Sequence, residues 1–179
     1  MFRVEIRDEV EIRGSPEEVW RILTDFEAYR DWNPFIRPVV GVASEGARLR
    51  VQIRPPGGRA MAFRPRVTRV ARGRELRWLG RLWLPGILDG EHIFEIEPLG
   101  PDRVRLVQRE IFSGLLVPLA RGRIREETIA GFREMDRALK ERAEASGSGY
   151  GGSPPSAPGG VTDRSVSRIS GSGVQNLYI

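Results

Sequence analysis

The chain has 179 residues, a net charge of +5 at pH 7, one histidine and no cysteine. Its length favours one domain, and a hydrophobic share of 40% is enough to build a buried core. The lack of cysteine excludes disulfides and thiolate metal sites, and a single histidine argues against zinc, so we expect no cofactor. No segment is apolar enough to be a signal or a membrane span, and we therefore expect a cytoplasmic protein.

The positive charge is a weak indication of nucleic-acid binding, because acidic and basic residues are interleaved along most of the chain. The exception is a group of three arginines early in the last predicted helix, Arg121, Arg123 and Arg125. A protein- or RNA-associated module could use them, but arginines at such positions are typical of a solvated helix face. We do not expect nucleic acid as a partner.

The first 36 residues predict a strand followed by a short helical arm. Residues 2–13 alternate between apolar and charged side chains, with Asp8 as the one polar residue on the apolar face. Ser15 and Glu18 have the spacing of a capping box, which predicts a helix start. An aromatic-rich turn follows and ends at the helix-breaking pair Asn33-Pro34.

The remaining pattern predicts further strands and then a long helix over residues 118–145. Hairpin-connected strands followed by one long helix indicate an α+β fold, in which an antiparallel sheet packs against the helix. The predicted strands after the arm cover residues 38–42, 48–54, 61–70, 75–82, 91–97 and 103–112.

Residues 146–179 differ in composition from the rest of the chain. Most of them are Gly, Ser or Pro, and they show no hydrophobic periodicity. Such a segment buries too little apolar surface to offset the entropy of ordering. We therefore predict a single domain over residues 1–145 and a disordered tail over residues 146–179.

Two segments carry a resemblance to a known family. Residues 19–34 follow the pattern V-W-x-x-L-x-D-F-x-x-Y-x-x-W-N-P, and a second match begins at GEHIFEIEP and continues into the last helix. Both resemble the START-like, helix-grip superfamily, and within it the bacterial polyketide cyclase/dehydrase and lipid-transport type often labelled SRPBCC. The resemblance implies a curved antiparallel sheet of about six or seven strands around the C-terminal helix, with an internal cavity between them.

The late hairpin holds the polar residues that could act in such a cavity. Alternation turns His92 inward with Phe94, and on the next strand Gln108 and Glu110 share the apolar face. Because an inward carboxylate needs a partner, we expect these polar residues to form one network, which Asp8 could join. Such a network is typical of a small-molecule site and equally of a buried structural cluster.

Large aromatic side chains are candidates for the walls and the mouth of the cavity that the resemblance implies. We predict no catalytic residue and no metal ligand. The predicted ligand-binding residues are His92, Glu110, Gln108, Trp32, Phe35, Phe63, Trp78, Trp83, Phe94 and Phe112.

The patterns and the resemblance together predict a protein that binds a hydrophobic or amphipathic small molecule, such as a lipid, an isoprenoid or a polyketide-like compound. An enzyme of the cyclase or dehydratase type, using the same cavity, is the first alternative. No serine-nucleophile elbow or phosphate-binding loop is present in the sequence to indicate another reaction. The sequence does not indicate an oligomeric state.

Overall fold

The computed structural model describes residues 2–82 and 84–147. The ligand-binding role of Trp83 and residues 148–179 of the predicted tail lie outside this part of the chain, and both stay predictions. Residues 146 and 147, predicted as the start of the tail, are the end of the last helix.

Eight strands and three helices are present in the described residues, in the predicted order of strand, helical arm, strands and long helix. The predicted strand over residues 61–70 is divided in two at Arg64 and Pro65, since proline has no N–H for a strand ladder. The elements are β1 (Arg3–Arg13), α1 (Pro16–Thr24), α2 (Tyr29–Trp32), β2 (Ile36–Val40), β3 (Arg50–Ile53), β4 (Met61–Phe63), β5 (Arg66–Ala71), β6 (Glu75–Leu82), β7 (Leu88–Gly100), β8 (Arg103–Ser113) and α3 (Val117–Gly147).

The strands form two sheets rather than the single sheet that was predicted. A five-stranded sheet has the order β1-β8-β7-β6-β5, and a three-stranded sheet has the order β2-β3-β4. Every pairing within them is antiparallel. The first strand pairs with the last one, so residues near both ends of the domain share the large sheet. The predicted α+β class with a long C-terminal helix is confirmed.

Side-chain hydrogen bonds hold the helical arm between β1 and β2. The Ser15 hydroxyl accepts from the Glu18 backbone N–H at 3.2 Å, which caps α1 as the capping box predicts. The buried Tyr29 hydroxyl donates to the Leu23 carbonyl at 2.6 Å. The Asn33 side-chain oxygen then accepts from the N–H groups of Phe35 and Ile36 at 3.0 and 2.9 Å. The arm thereby fixes the position at which Phe35 enters the core.

Helix α3 packs closely against this entry point. Phe132, Met135 and Leu139 are fully buried on its inner face. The rings of Phe35 and Phe132 meet edge to face, with their centroids 6.1 Å apart. Gly131 allows this approach, because a Cβ atom there would overlap the Phe35 ring.

Substitution of alanine for two glycines of α3, Gly131 and Gly122, should therefore change the stability in opposite directions. Gly131→Ala adds a helix-favouring residue but overpacks the contact with Phe35, and we expect a net loss of about 1–3 kcal/mol in the free energy of unfolding. Gly122→Ala, at an exposed position with no atom near the new Cβ, should stabilise by about 0.5–1 kcal/mol. Urea denaturation of both variants measures the difference. An unchanged or raised stability of Gly131→Ala would contradict the close packing.

Candidate functional site

A cavity of about 450 Å³ lies between the inner face of the large sheet, the small sheet and the first half of α3. Most of its walls are apolar. Aromatic and aliphatic side chains from both sheets contribute to them, among them Phe35, Val51, Ile53, Phe63, Trp78 and Phe112.

The register of the large sheet brings the polar residues together. His92 on β7 lies directly opposite Trp78 on β6 and Glu110 on β8. Glu110 in turn lies opposite Ile6 on β1. These four residues form a row across the inner face, so the cavity contacts a carboxylate and an imidazole in an otherwise apolar surface.

The next row of the sheet contains two glycines side by side. Gly80 and Gly90 are paired across β6 and β7, and both line the cavity. Alternation places them on the inner face, one step beyond Trp78 and His92. A Cβ atom at Gly80 would have its nearest neighbour at 3.8 Å, so this glycine leaves open space in the cavity. The position above Gly90 is occupied by Glu110 Oε1 and the Phe112 ring.

A continuous chain of contacts runs from the cavity to α3. His92 Nδ1 is 3.0 Å from Glu110 Oε2, and His92 Nε2 is 3.2 Å from Gln108 Oε1. Gln108 Nε2 donates to Asp136 Oδ1 at 2.6 Å. His92, Gln108 and Asp136 are all buried. The chain therefore links the cavity wall through the core to the C-terminal helix.

The direction of these hydrogen bonds determines where the protons lie. Asp136 Oδ1 accepts from Gln108 whether the carboxyl group is ionised or carries a proton on Oδ2. The Gln108 amide oxygen therefore faces His92, and the Nε2–H of His92 donates to it. The other ring nitrogen, Nδ1, faces Glu110 Oε2 at 3.0 Å, and one proton lies between them in the hydrogen bond.

Aromatic contacts hold the imidazole ring in this orientation. The Phe94 ring stacks on it with centroids 4.2 Å apart and an interplanar angle of 21°. Trp78 and Phe132 pack around it with centroids at 5.3 and 5.1 Å. Phe94 is fully buried and does not line the cavity, so its contribution to the site is to position His92.

Asp136 is the member of the network that sequence reasoning missed. Burial raises its pKa to about 7; the hydrogen bond from Gln108 lowers that pKa, and the nearby Asp8 carboxylate raises it. Its Oδ2 atom has no hydrogen-bond partner among the described residues. The sequence contains one indication of its burial: Asp136 follows the buried Phe132 by four residues and so lies on the same helix face.

Asp8 lies beside the network rather than in it. It is the cross-strand partner of Gln108 in the β1–β8 ladder. Burial raises the pKa of the Asp8 carboxyl group. The Arg133 guanidinium, 3.9 Å away, lowers this pKa by a smaller amount.

The other predicted ligand-binding residues are divided between the cavity and the rest of the molecule. Trp32 lies outside the cavity, in a separate surface depression with Arg21 and the end of α3. Gln108 and Phe94 contact His92 from the core side. The residues that do line the cavity are Phe35, Phe63, Trp78, His92, Glu110 and Phe112. That these residues bind a ligand stays a prediction.

Three arginines that were not predicted for the site also contact the cavity: Arg59, Arg81 and Arg123. The side chains of Arg81 and Arg123 are 52% and 79% exposed, which places their charges at the rim. Arg123 is paired with Glu127 on α3, as expected for a solvated helix face. The polar groups of the site thus form two zones, a charged rim and the buried His92–Glu110 pair.

Residues 2–82 and 84–147 contain neither a metal site nor a membrane span. No group of three His, Asp or Glu side chains in this part of the chain could hold a metal ion. No helix in it is both long and apolar enough to cross a bilayer. The cytoplasmic location stays a prediction.

The raised pKa of Asp136 predicts a pH-dependent stability. The folded state binds this proton more tightly than the unfolded state, where the carboxyl group has its ordinary pKa of 3.8. Its contribution to the free energy of unfolding therefore falls as the pH rises from about 4 to about 7, by about 1.4 kcal/mol for each pKa unit. Asp136→Asn removes this contribution, so its stability relative to the unsubstituted protein should increase over that range.

Urea denaturation at several pH values measures this difference, with the exposed Asp31→Asn as the matched control. The raised pKa of Asp136 would be contradicted if the stability difference between Asp136→Asn and the unsubstituted protein were the same at pH 4 and at pH 8.

The architecture has counterparts among solved structures. A START superfamily protein from Mycobacterium smegmatis superposes with a TM-score of 0.65 at 25% identity, covering 79% of this chain and 97% of that one. The Zhui aromatase/cyclase from Streptomyces sp. R1128 has a TM-score of 0.65 at 17% identity, covering 85% and 100% of the two chains. Norcoclaurine synthase from Thalictrum flavum, in complex with dopamine and hydroxybenzaldehyde, has a TM-score of 0.60 at 13% identity, covering 79% and 86%. The last two show a shared fold alone.

The sequence comparisons assign the family. Among curated proteins, no sequence matches this chain. The family model described as polyketide cyclase / dehydrase and lipid transport matches residues 3–144, which is nearly all of the described domain. The predicted START-like helix-grip resemblance is thereby confirmed. The chain belongs to the polyketide cyclase / dehydrase and lipid transport family.

Proposed function

We propose that this protein binds a hydrophobic or amphipathic small molecule in the cavity between its sheets and α3. The observation that carries the proposal is the cavity itself, which is large, mostly apolar and in contact with one buried polar pair. Ligand sites of proteins commonly combine apolar walls with a few well-placed polar groups. A lipid, an isoprenoid or a polyketide-like compound combines a mostly apolar body with a few polar groups in the same way.

Burial of apolar surface supplies the affinity in this proposal. At about 25 cal/mol per Å², a ligand that buries about 200 Å² of apolar surface gains about 5 kcal/mol before the costs of association. The aromatic walls also limit the movement of a flat or ring-containing ligand. The polar pair then orients the ligand rather than providing most of its binding energy.

The glycine row offers a direct test. A Cβ atom at Gly80 would make only ordinary contacts, the nearest at 3.8 Å, so Gly80→Leu should fold and fill the cavity. We expect the neutral fluorescent probe N-phenyl-1-naphthylamine to bind the unsubstituted protein with 1:1 stoichiometry. Gly80→Leu should weaken that binding by about tenfold or more, since the leucine occupies the space of apolar ligand atoms.

Gly100→Leu is the matched control, because Gly100 ends β7 with open space around it and does not line the cavity. It should bind the probe as the unsubstituted protein does. Equal binding by Gly80→Leu, with its fold intact by circular dichroism, would contradict binding in this cavity.

An enzyme that uses the same cavity is a second candidate. One observation favours it: His92 Nδ1 and Glu110 Oε2 lie 3.0 Å apart at the cavity wall, and such a pair can act as a general acid and base. Cyclisation or dehydration of a poly-ketone requires proton transfer of this kind.

This candidate predicts turnover of a bound poly-ketone with a pH-dependent rate. In His92→Ala we expect the pH dependence to disappear and the rate to fall by about 10²-fold or more. Product formation by mass spectrometry measures both. Binding of the poly-ketone without any turnover by the unsubstituted protein would exclude the reaction and leave the binding function in place.

A further inference from the structure

We infer that the ligand of this cavity carries a neutral hydrogen-bond donor, a phenol, enol or alcohol hydroxyl, which binds the Oε1 atom of Glu110. The inference rests on the proposed binding function and names the chemical class of its ligand. It follows from an atom of the buried network that lies at the cavity wall and takes no hydrogen bond from a described residue, and from the cost of burying an ionised ligand group in apolar surroundings.

Glu110 Oε1 is an atom of the network that lies at the cavity wall and takes no hydrogen bond from a described residue. Oε2 of the same carboxyl group is occupied by His92 Nδ1 at 3.0 Å. Oε1 lies above Gly90 on the inner face, where a Cβ atom would come within 2.6 Å of it. Gly90 and Glu110 both line the cavity, and no described residue donates a hydrogen bond to Oε1. A ligand in the cavity would be in a position to donate to this atom.

The hydrogen-bonding role of Oε1 is the same for either position of the shared proton. If the proton is on Nδ1, Glu110 is a carboxylate and Oε1 accepts. If the proton is on Oε2, then Oε2 donates to Nδ1, and Oε1 is a carbonyl oxygen that again accepts. The ligand must accordingly be the donor. An ether, ketone or carboxylate oxygen would meet Oε1 lone pair to lone pair.

The apolar surroundings of the pair disfavour an ionised ligand group. A neutral ligand group brings no further charge to the wall at which His92 and Glu110 lie 3.0 Å apart. An ammonium group or a carboxylate would have to give up its hydration there, which is costly in apolar surroundings. Arg59, Arg81 and Arg123 also line the cavity, and their side chains are exposed, which places their charges at its rim.

Probes that share one aromatic scaffold separate these possibilities at neutral pH: naphthalene, 2-naphthol, 2-methoxynaphthalene, 2-naphthoate and 2-naphthylmethylammonium. We expect 2-naphthol to bind about tenfold or more tightly than 2-methoxynaphthalene, in which the donor is blocked. Both charged probes should bind more weakly than 2-naphthol. This comparison uses the unsubstituted full chain and depends on no variant.

Variants then locate the effect. In Glu110→Leu the preference for 2-naphthol over its methyl ether should fall to about one. In the matched control Glu97→Leu, on the outer face of β7, it should be unchanged. His92 is the only histidine, so its imidazole signals in ¹⁵N NMR report the site directly, and they should shift with 2-naphthol and not with naphthalene.

The results distinguish this inference from the function on which it rests. If naphthalene and its derivatives do not bind at all, the binding function itself fails, and the inference fails with it. If all neutral probes bind equally, or if 2-naphthoate or the ammonium probe binds best, the cavity is a ligand site but the hydroxyl-donor inference is overturned. A preference for 2-naphthol that survives in Glu110→Leu overturns it too, because the donor then binds elsewhere.

Discussion

The antiparallel register between β7 and β8, which places His92 directly opposite Glu110, is the constraint on which the rest of the site depends. Side chains alternate between the two faces of a strand, so a slip of β8 by one residue would turn Gln108 and Glu110 to the outer face, away from His92. The ladder is regular from Asp89 to Pro98, and the matching β1–β8 ladder extends the same rows across the sheet. Only with this register do an imidazole, a carboxyl group and an amide meet on the inner face.

The polar network has a structural consequence beyond its chemistry. Gln108 belongs to the sheet and Asp136 to the helix, so their 2.6 Å hydrogen bond joins the two layers. Buried polar groups are tolerated when each finds a partner, and they then favour one arrangement over others of similar apolar contact. The orientation of the His92 ring is in this way linked to the position of α3.

Much of this arrangement could be predicted from local pattern, and the rest depends on contacts that pattern does not contain. Period-2 alternation was sufficient to place His92, Gln108 and Glu110 on the inner face, since that face is a property of each strand alone. Their order in a hydrogen-bonded chain depends on which residues pair across the hairpin. Asp136 was not predicted as a member of the network because a single acidic residue on a long helix is ordinarily solvated. It is buried because α3 packs on β1. Trp32 and Phe35 are three residues apart, yet the break at Asn33-Pro34 sends them to different sides of the arm.

Gly80 leaves cavity space that does not come from a gap between the interlocking side chains of the core. Its backbone keeps the β6–β7 ladder intact, and the space above it exists because glycine has no side chain. In a core made of interlocking side chains, a change of volume at one position disturbs its neighbours. Here a single substitution at residue 80 would reduce the volume of the cavity without replacing any side chain of the core around it.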